Sequence, residues 1–250
     1  MPYLKKVIHM MFSSLLKSGL DWVLGHGCAV CQASPAPQGW CQTHWHEVCA
    51  QETTRWRCRV CALPVSTQTG AAQSRLCAEC LSQPALHTAT YVGADYAEPW
   101  EEVLKALKFS GQMDKVSALV RLLDAAVPSS LKLDLLLPVP AWPQKLAQRG
   151  FNAPALIGEA LARQRRWQFD ALGLEQHREL PEIHKLSARE RRLAVQGAFV
   201  ARRGLTELRV GLIDDVMTTG ATLQAATSAA LAAGARQVVL LAALRTPRER

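Results

Sequence analysis

Residues 210–223, VGLIDDVMTTGATL, combine two adjacent carboxylates with three threonine hydroxyls and a glycine. The apolar residues before Asp214 and Asp215 predict a buried strand, Val210 to Ile213, and the alanine-rich segment from Thr222 predicts a helix, 222–233. The residues between the two elements would then lie at a helix N-terminus, where free N–H groups and the helix dipole attract anions. The chemistry that this pattern indicates is the binding of an anion such as a phosphate group.

The side chains of this stretch divide into phosphate-binding and phosphate-repelling groups. The hydroxyl donors are Thr218, Thr219 and Thr222. Gly220 allows the backbone to approach a ligand closely. Asp214 and Asp215 would repel a phosphate, so they must face a cation or the vicinal hydroxyls of a ribose, with or without Mg²⁺. The pattern predicts a site for a ribose 5-phosphate; simple solvation of a strand end, or helix capping, is the alternative for the aspartates.

All eight cysteines lie between residues 28 and 80. Three pairs have the CxxC spacing of metal-binding turns: Cys28 and Cys31, Cys58 and Cys61, and Cys77 and Cys80. A fourth pair, Cys41 and His44, has histidine in the last position, and His46 with Cys49 competes for the same role. This spacing favours metal binding over a secreted disulfide framework, because a large domain without cysteines follows.

The simplest arrangement of these ligands is two zinc ribbons. The first would use Cys28, Cys31, Cys41 and His44, and the second would use Cys58, Cys61, Cys77 and Cys80. A cross-braced pairing of the same residues is the alternative. Four protein ligands leave no coordination position for water, so one or two structural zinc ions are expected. The metal would stabilise a segment that is too short to bury much apolar surface.

The composition is that of a globular protein with a positive charge. The chain has 250 residues, 49% hydrophobic and 20% charged, and a formal net charge of +8. Such a charge attracts phosphorylated ligands and nucleic acid but does not identify a partner. No apolar run reaches the length of a membrane span, and we expect a cytoplasmic protein. Helical spacing of apolar residues predicts an N-terminal amphipathic helix over residues 1–27, with an export or membrane-surface segment as the alternative.

Strand and helix patterns alternate after residue 84. Continuously apolar strands are predicted at 133–140, 209–213 and 237–244, with helices near 101–110, 113–127, 153–166 and 222–233. This alternation indicates an α/β fold with a parallel sheet flanked by helices. The predicted units are the helix 1–27, a double zinc-ribbon-like domain 28–84 and an α/β domain 85–250. Ligands bind such sheets beyond the carboxyl ends of the strands, where 138–152 and 214–222 would lie.

Residues 210–223 resemble the binding signature for phosphoribosyl pyrophosphate (PRPP) of type I phosphoribosyltransferases. From about Cys28 to Thr246, the chain resembles the ComF/GntX family of competence-associated proteins, which join an N-terminal zinc ribbon to a phosphoribosyltransferase-like domain. Besides 210–223 and the cysteine pairs, the matching segments are ADYAEPWEEVLKALKFSG, LPVPAWPQKLAQRGFN and HKLSARERRLAVQGAF. The resemblance implies a type I phosphoribosyltransferase-like parallel sheet with a small N-terminal zinc-ribbon module.

The resemblance also implies roles for individual residues. Asp214 and Asp215 would hold the ribose hydroxyls of PRPP at the catalytic centre. The residues around the 5-phosphate would be Thr218, Thr219, Gly220, Ala221 and Thr222. The 138–152 loop would face the pyrophosphate with Lys145 and Arg149 as cations, although both could be ordinary surface charges. Residues 178–192 would form a flexible loop over the site, and residues 91–110 would form part of a hood over the acceptor.

Two functions follow from the resemblance. The first is a phosphoribosyltransferase that uses PRPP and Mg²⁺, is linked to DNA uptake and utilisation, and acts on an acceptor that the sequence does not name. The second is a non-catalytic competence factor that binds single-stranded DNA and keeps a PRPP site. Four tryptophans could stack on bases or pack inside the protein: Trp40, Trp45, Trp56 and Trp100. Other competence proteins are further expected partners, and a structural adaptor held together by zinc is a third interpretation.

Overall fold

The computed structural model describes residues 27–34, 36–53, 56–65, 75–83, 85–179 and 194–247. The predicted helix at 1–27 lies outside these residues except at its last position, and residues 180–192 of the predicted flexible loop lie outside them as well. Among the helices within the described ranges, none is long and apolar enough to cross a membrane.

Helices and strands alternate through the second part of the chain, as its sequence predicts. A 3₁₀ turn, Pro37–Gly39, comes first. The helices are α1 (Gln42–Thr53), α2 (Ala78–Ser82), α3 (Trp100–Ser110), α4 (Lys115–Ala126), α5 (Pro143–Arg149), α6 (Ala153–Arg165) and α7 (Ala221–Ala232). The strands are β1 (Ala89–Asp95), β2 (Leu135–Pro138), β3 (Gln168–Phe169), β4 (Leu174–Gln176), β5 (Phe199–Ala201), β6 (Arg209–Met217) and β7 (Gln237–Arg245).

Five strands form one parallel sheet in the order β1-β7-β6-β2-β3. The strands β4 and β5 form a separate antiparallel pair. Because all five strands run in the same direction, their carboxyl ends lie along one edge, which is where ligands bind in sheets of this kind. The predicted parallel sheet flanked by helices is confirmed, with β6 at its centre.

Two apolar layers cover the two faces of the sheet. The helices α3, α4 and α6 pack on one face, where Leu136 and Ile213 contribute to the core. Helix α7, through residues such as Ala226, and the β4–β5 pair pack on the other face against Leu137 and Leu212. Consecutive residues within β2, and within β6, therefore point to opposite faces, as strand geometry requires. Burial on both faces explains why these strands are continuously apolar.

Helix α4 shows why the helical segments form where the apolar period predicts them. Its buried side chains include Ala118, Leu119, Leu122 and Leu123, which recur at intervals of three and four and so form one face. Helix α3 ends where Gly111 takes a left-handed conformation with φ of 63°, and the Gly111 N–H bonds back to a carbonyl of the helix.

The predicted end of the central strand was wrong. We expected the strand to end at Ile213 and the aspartates to follow it, but β6 continues through both aspartates to Met217. The reason is that β7 continues beside it, with Asp214 opposite Ala242 and Met217 opposite Arg245. Helix α7 begins one residue earlier than predicted, so only residues 218–220 form the connecting loop.

Two further expectations for loops also need correction. No strand was predicted between residues 140 and 209, but Leu174–Gln176 pairs with Phe199–Ala201. The 138–152 segment was expected to be a loop, but most of it forms helix α5. Asn152 stands at the cap position of α6 without a capping bond. Its side-chain nitrogen donates instead to the Val139 carbonyl at 3.0 Å, which ties the two ends of the segment together.

Candidate functional site

The two aspartates lie at the carboxyl end of the central strand. Asp214 is partly buried and Asp215 is buried. As neighbours in a strand they start on opposite faces, so they can act on one ligand only at the open edge of the sheet. Lys108 of α3 reaches Asp215, with Nζ 2.7 Å from Oδ1. The Asp214 carboxylate accepts the main-chain N–H of Asp215 at 2.8 Å.

The environment of the aspartates disfavours two negative charges. Burial and, next, the charge of Asp215 raise the pKa of Asp214 to about 7, although Lys108 and the Asp215 N–H oppose both effects. Near neutral pH Asp214 is therefore partly protonated, and its ionised form is disfavoured in the folded state. Carboxylates whose pKa values are shifted in this way are concentrated at functional sites.

The loop 218–220 joins this acidic end of β6 to the N-terminus of α7. Thr218 is exposed and Thr219 and Thr222 are partly buried, whereas Gly220 and Ala221 are buried. Gly220 has φ of 80°, a conformation that glycine adopts without strain. The Thr219 hydroxyl accepts the Ala221 N–H at 3.4 Å. The structure thus brings all five predicted phosphate-binding residues to one helix N-terminus, which can bind an anion.

The predicted cations of the neighbouring segment occupy different environments. Lys145 is exposed on α5. Arg149 is partly buried, and its guanidinium carbon lies 5.6 Å from the ring centre of Phe109. Phe109 follows Lys108 in α3, so Arg149 lies beside the element that contacts Asp215. Arg149 therefore packs against α3, the helix that contacts Asp215, whereas Lys145 lies on an exposed surface.

Sequence reasoning missed Lys108 and Tyr96 as parts of this site. Lys108 is mostly buried and directly contacts an aspartate. Burial raises the pKa of Tyr96, and the charges of Glu101 and Asp215 raise it further, which places the phenol in the same negative region. A lysine beside the buried Leu107 on an amphipathic helix was a signal that could have identified Lys108.

Four ligand atoms from the first cysteine-rich segment converge. The groups are Cys28, Cys31, Cys41 and His44, and their ligand atoms all lie within 4.8 Å of one another. The Cys41 sulfur is 3.2 Å from His44 Nδ1 and 3.9 Å from the Cys31 sulfur. The competing pair, His46 and Cys49, is not part of this cluster. We call this set cluster 1.

A second cluster contains sulfur ligands alone. Its members are Cys58, Cys61, Cys77 and Cys80, again within 4.8 Å of one another. The Cys61 and Cys77 sulfurs are 3.7 Å apart, and the Cys77 main-chain N–H points at the Cys58 sulfur at 3.4 Å. A hydrogen bond from the Cys61 thiol and main-chain N–H groups lowers the pKa of Cys58 to about 4 against the effect of burial. We call this set cluster 2.

Both clusters fit one tetrahedral metal ion each. Tetrahedral zinc with four thiolates has sulfur–sulfur distances of about 3.8 Å, close to the separations observed here. Sulfur and imidazole ligands favour zinc over calcium or magnesium. All eight cysteines lie within the described residues, and none of them forms a disulfide. The pairing of 28–31 with 41–44, and of 58–61 with 77–80, agrees with the two-ribbon prediction and not with a cross-braced arrangement.

Comparison with known proteins identifies similar sequences of similar length. The chain is 33% identical over 214 residues to DNA utilization protein YhgH of Escherichia coli O157:H7, covering 81% of this chain and 92% of that protein. It is 30% identical over 212 residues to the protein of the same name in Salmonella typhimurium, covering 82% and 92%. Competence protein F of Haemophilus influenzae is 31% identical over 160 residues, covering 59% and 68%. No family model matches the chain.

Two solved structures have partial likeness to the fold. One is the glutamine PRPP amidotransferase of B. subtilis in complex with ADP and GMP, with a TM-score of 0.34 and 21% identity over 56% of this chain. The other is described as the allosteric regulatory enzyme of purine biosynthesis, with a TM-score of 0.30 and 24% identity over 46% of this chain. This chain spans 26% and 22% of those proteins.

The parallel sheet, flanking helices and N-terminal Cys/His clusters define an α/β protein with a small module that could hold two metal ions. The chain belongs to the ComF/GntX family, which includes DNA utilization protein YhgH and competence protein F. The family membership that the sequence resemblance indicated is therefore confirmed.

Proposed function

We propose that this protein binds PRPP with Mg²⁺ and transfers its phosphoribosyl group to an acceptor during DNA uptake or utilisation. The observation that carries the proposal is the succession of an acidic pair, a three-residue loop and a helix N-terminus at the carboxyl end of the central strand. The acidic pair suits the ribose hydroxyls of ribose 5-phosphate, and the loop and the helix N-terminus suit its phosphate. The names of the relatives support the link to DNA.

The 5-phosphate is assigned to the loop 218–220 and the start of α7. Main-chain N–H groups that have no partner within the helix are available there, and the helix dipole favours a negative group. The hydroxyls of Thr218, Thr219 and Thr222 can donate to the remaining phosphate oxygens. The positive φ of Gly220 turns the backbone into the helix without a side chain in the way.

The ribose hydroxyls are assigned to Asp214 and Asp215. Ionised carboxylates accept hydrogen bonds from vicinal hydroxyls, and such bonds are stronger than neutral ones. Before PRPP binds, the 2.7 Å ion pair with Lys108 holds the Asp215 carboxylate in place. When PRPP binds, Lys108 would either keep this ion pair or leave Asp215 and contact a hydroxyl instead. Bound Mg²⁺ would neutralise charge on the pyrophosphate, beside which we place Arg149 and Lys145.

The reaction requires positioning more than covalent participation by the protein. The bond between ribose C1 and the pyrophosphate oxygen breaks, and its electron pair leaves with pyrophosphate. A lone pair of the acceptor forms the new bond to C1, and the acceptor proton passes to solvent or to a nearby base. Positive charge develops on the sugar in between, so the fold contributes by orienting the reactants and stabilising the departing anion.

Calorimetric titration with PRPP and Mg²⁺ tests the binding step. The wild type should bind, and the double variant Asp214→Asn with Asp215→Asn should bind at least about 100-fold more weakly, because the two lost charged hydrogen bonds contribute about 1.5–3 kcal/mol each. Glu207→Gln is a matched control, since it removes an exposed carboxylate from the residues just before β6, at the other end of that strand. Equal affinities in the double variant and the control would refute the assignment.

Transfer is tested separately from binding. Wild-type protein is incubated with PRPP, Mg²⁺ and a panel of nucleobases, nucleosides and single-stranded oligonucleotides, and pyrophosphate release is measured. An acceptor should increase release, and the double aspartate variant should abolish the increase. Tight binding of PRPP without release for any acceptor would favour a binding protein over an enzyme.

A surface on the second cysteine-rich segment favours a second function, the binding of single-stranded DNA. Trp56 is 40% exposed, and the Arg75 guanidinium carbon lies 5.2 Å from its ring centre. Arg59 and Arg75 are exposed neighbours, because the Arg59 N–H donates to the Arg75 carbonyl. An exposed aromatic ring with adjacent arginines can stack on bases and contact phosphates. The buried Trp40 and Trp100 instead pack in the core.

Fluorescence anisotropy with a labelled oligothymidine tests this second function. Affinity should fall with rising salt, and Trp56→Ala should weaken it about tenfold through lost stacking. Arg75→Gln should weaken binding and reduce the salt dependence, whereas Arg236→Gln, at an exposed position just before β7, should change neither. Binding that does not respond to salt or to Trp56→Ala would exclude this surface.

We propose structural zinc in both clusters and a reducing, cytoplasmic compartment. Seven of the eight cysteines stand in the two clusters and need to remain thiolates for this role. Measured metal content should be two zinc ions per chain, falling to one in Cys31→Ser. The division of the chain at residues 27 and 84 remains a prediction, as do the individual PRPP contacts and an interaction with other competence proteins.

A further inference from the structure

Arg245, the last residue of β7, connects cluster 2 to the candidate phosphate loop. Its side chain is buried. Nε donates to the carbonyl of Cys61, a member of cluster 2, at 2.7 Å. Nη1 donates to the carbonyl of Met217 at 2.9 Å and also to the carbonyl of Thr218. One guanidinium group therefore bonds to the metal-binding turn and to both residues that lead into the phosphate loop.

The other side of the metal-binding turn is fixed to the sheet. The Val60 carbonyl accepts the Thr90 hydroxyl at 2.6 Å and lies 2.9 Å from His87 Nε2. The Thr90 N–H donates to the Arg59 carbonyl at 2.7 Å. The residue after Cys61, Ala62, belongs to the apolar core on the α7 face of the sheet. The turn that carries two ligands of cluster 2 is thus fixed to the amino end of β1, and Arg245 connects it to the carboxyl end of β7.

The hydrogen bonds of Arg245 make the phosphate loop dependent on the position of Cys61. The guanidinium is planar and its donors have fixed directions, so its bonds on one side restrict the acceptors on the other. A buried charge left with unsatisfied donors is unfavourable, and the protein would shift to satisfy them. If cluster 2 lost its metal and the 58–61 turn moved, the carbonyls of Met217 and Thr218 would have to move or lose a donor.

We infer that Arg245 is a positioning residue that couples metal binding at cluster 2 to the conformation of the 218–220 loop, so that metal at cluster 2 raises the affinity of the loop for a phosphate ligand. The ligand part of this inference rests on the proposed function. Cluster 1 has no such link in the described residues. The residues around cluster 1 pack on α3 and α4: the Trp40 and Trp100 ring centres are 4.8 Å apart, Trp40 Nε1 donates to the Ala118 carbonyl at 3.0 Å, and the Arg121 guanidinium carbon lies 3.9 Å from the Trp45 ring centre.

Coupling of this kind is reciprocal. If metal at cluster 2 strengthens phosphate binding by some factor, a phosphate ligand must strengthen metal binding at cluster 2 by the same factor. The inference can therefore be tested from the metal side or from the loop side, and the two results must agree. It can also be tested without ligand, through the backbone dynamics of the loop.

The first experiment compares Cys80→Ser, which removes a ligand of cluster 2, with Cys31→Ser, which removes a ligand of cluster 1. Amide hydrogen exchange is followed by mass spectrometry in peptides that cover residues 217–222, without any ligand. Exchange should be about tenfold faster in Cys80→Ser and unchanged in Cys31→Ser. Affinity for PRPP with Mg²⁺ should fall by the same factor in Cys80→Ser only.

The second experiment tests whether Arg245 carries the coupling. Arg245→Lys keeps the charge but replaces the planar fork by one ammonium group. In the Arg245→Lys background, adding Cys80→Ser should change exchange of residues 217–222 by less than about twofold. Arg165→Lys is the matched control, because Arg165 also donates to main-chain carbonyls, those of Val127 and Pro128, far from the loop in the fold.

The metal side provides a measurement that leaves all four ligands of cluster 2 in place. In the Cys31→Ser variant, zinc is confined to cluster 2, and its release to a chromogenic chelator should slow about tenfold at saturating PRPP. Adding Arg245→Lys should abolish the slowing. Unchanged exchange in Cys80→Ser, or an equal effect of that substitution with and without Arg245, would overturn the inference. Coupled exchange in a protein that does not bind PRPP would refute the proposed function and leave the coupling standing.

Discussion

Replacing Asp214 by asparagine should stabilise the ligand-free protein, and more so as the pH rises. Asparagine keeps an oxygen that can accept the Asp215 N–H, so the substitution removes charge with little change of shape. Burial, together with the charge of Asp215, raises the pKa of Asp214 to about 7, whereas its ordinary value is 3.8. The folded state therefore retains a proton that the unfolded chain releases at lower pH.

The sign and size of the effect follow from this difference. Below pH 4 the carboxyl is protonated in both states and contributes nothing to the pH dependence. Above pH 7 it is ionised in both, and the folded state holds a charge that its surroundings disfavour. One pH unit corresponds to about 1.4 kcal/mol, so the full difference is at most about 4 kcal/mol. Partial exposure of Asp214 reduces this, and we expect about 2–4 kcal/mol at pH 8.

Urea unfolding of the metal-loaded protein at pH 5 and pH 8 measures the effect. The advantage of Asp214→Asn over the wild type should grow by about 2 kcal/mol between the two pH values. Glu207→Gln, an exposed carboxylate, should show a constant difference. An advantage that is equal at both pH values, or a variant that is less stable at pH 8, would refute the idea that the acidic pair opposes folding and is retained for a ligand.

Three further predictions concern the loop and the N-terminal clusters. Gly220→Ala should destabilise the protein by about 1–2 kcal/mol, because φ there is 80°, and should weaken phosphate binding, whereas Gly204→Ala, with open space around it, should change stability by less than about 0.5 kcal/mol in the same urea titration. Trp40→Phe should destabilise by about 1–3 kcal/mol, because the buried Ala118 carbonyl loses its donor, and Trp56→Phe should be nearly neutral by thermal unfolding. Removal of metal by a chelator should shift tryptophan fluorescence to longer wavelength, since the metal stabilises the segment that holds Trp40, and added zinc should reverse the shift.

The parts of the site that depend on local pattern could be predicted from the sequence. A helix N-terminus after a buried strand follows from apolar periodicity, and Gly220 with its flanking threonines lies within one short segment. Each cysteine pair could be recognised because a CxxC turn brings its two ligands together whatever the rest of the fold does, but which pairs share a cluster was left open. These features require few residues and no knowledge of distant contacts.

The remaining parts depend on contacts between distant segments. The extension of β6 through Asp214 to Met217 is decided by pairing with β7, which a single strand pattern does not reveal. The contact of Lys108 with Asp215 depends on how α3 packs against the sheet edge. Arg245 follows the predicted strand 237–244 as a single polar residue, and only the docking of the 58–61 turn gives its side chain the Cys61 carbonyl as a partner.

The contacts of the 58–61 turn with the sheet have a consequence for evolution and for engineering. Thr90 of β1 and Arg245 of β7 bond to that turn, and Arg245 also bonds to the start of the loop after β6, so the cysteine-rich segment is not a transplantable unit. A chimera that takes residues 28–84 from one relative and the remainder from another should fold poorly unless the facing positions, Thr90 and Arg245 among them, are inherited together. Covariation between the 58–61 turn and the positions that face it is therefore expected among natural members of the family. Recombination breakpoints should not separate these two sets of residues.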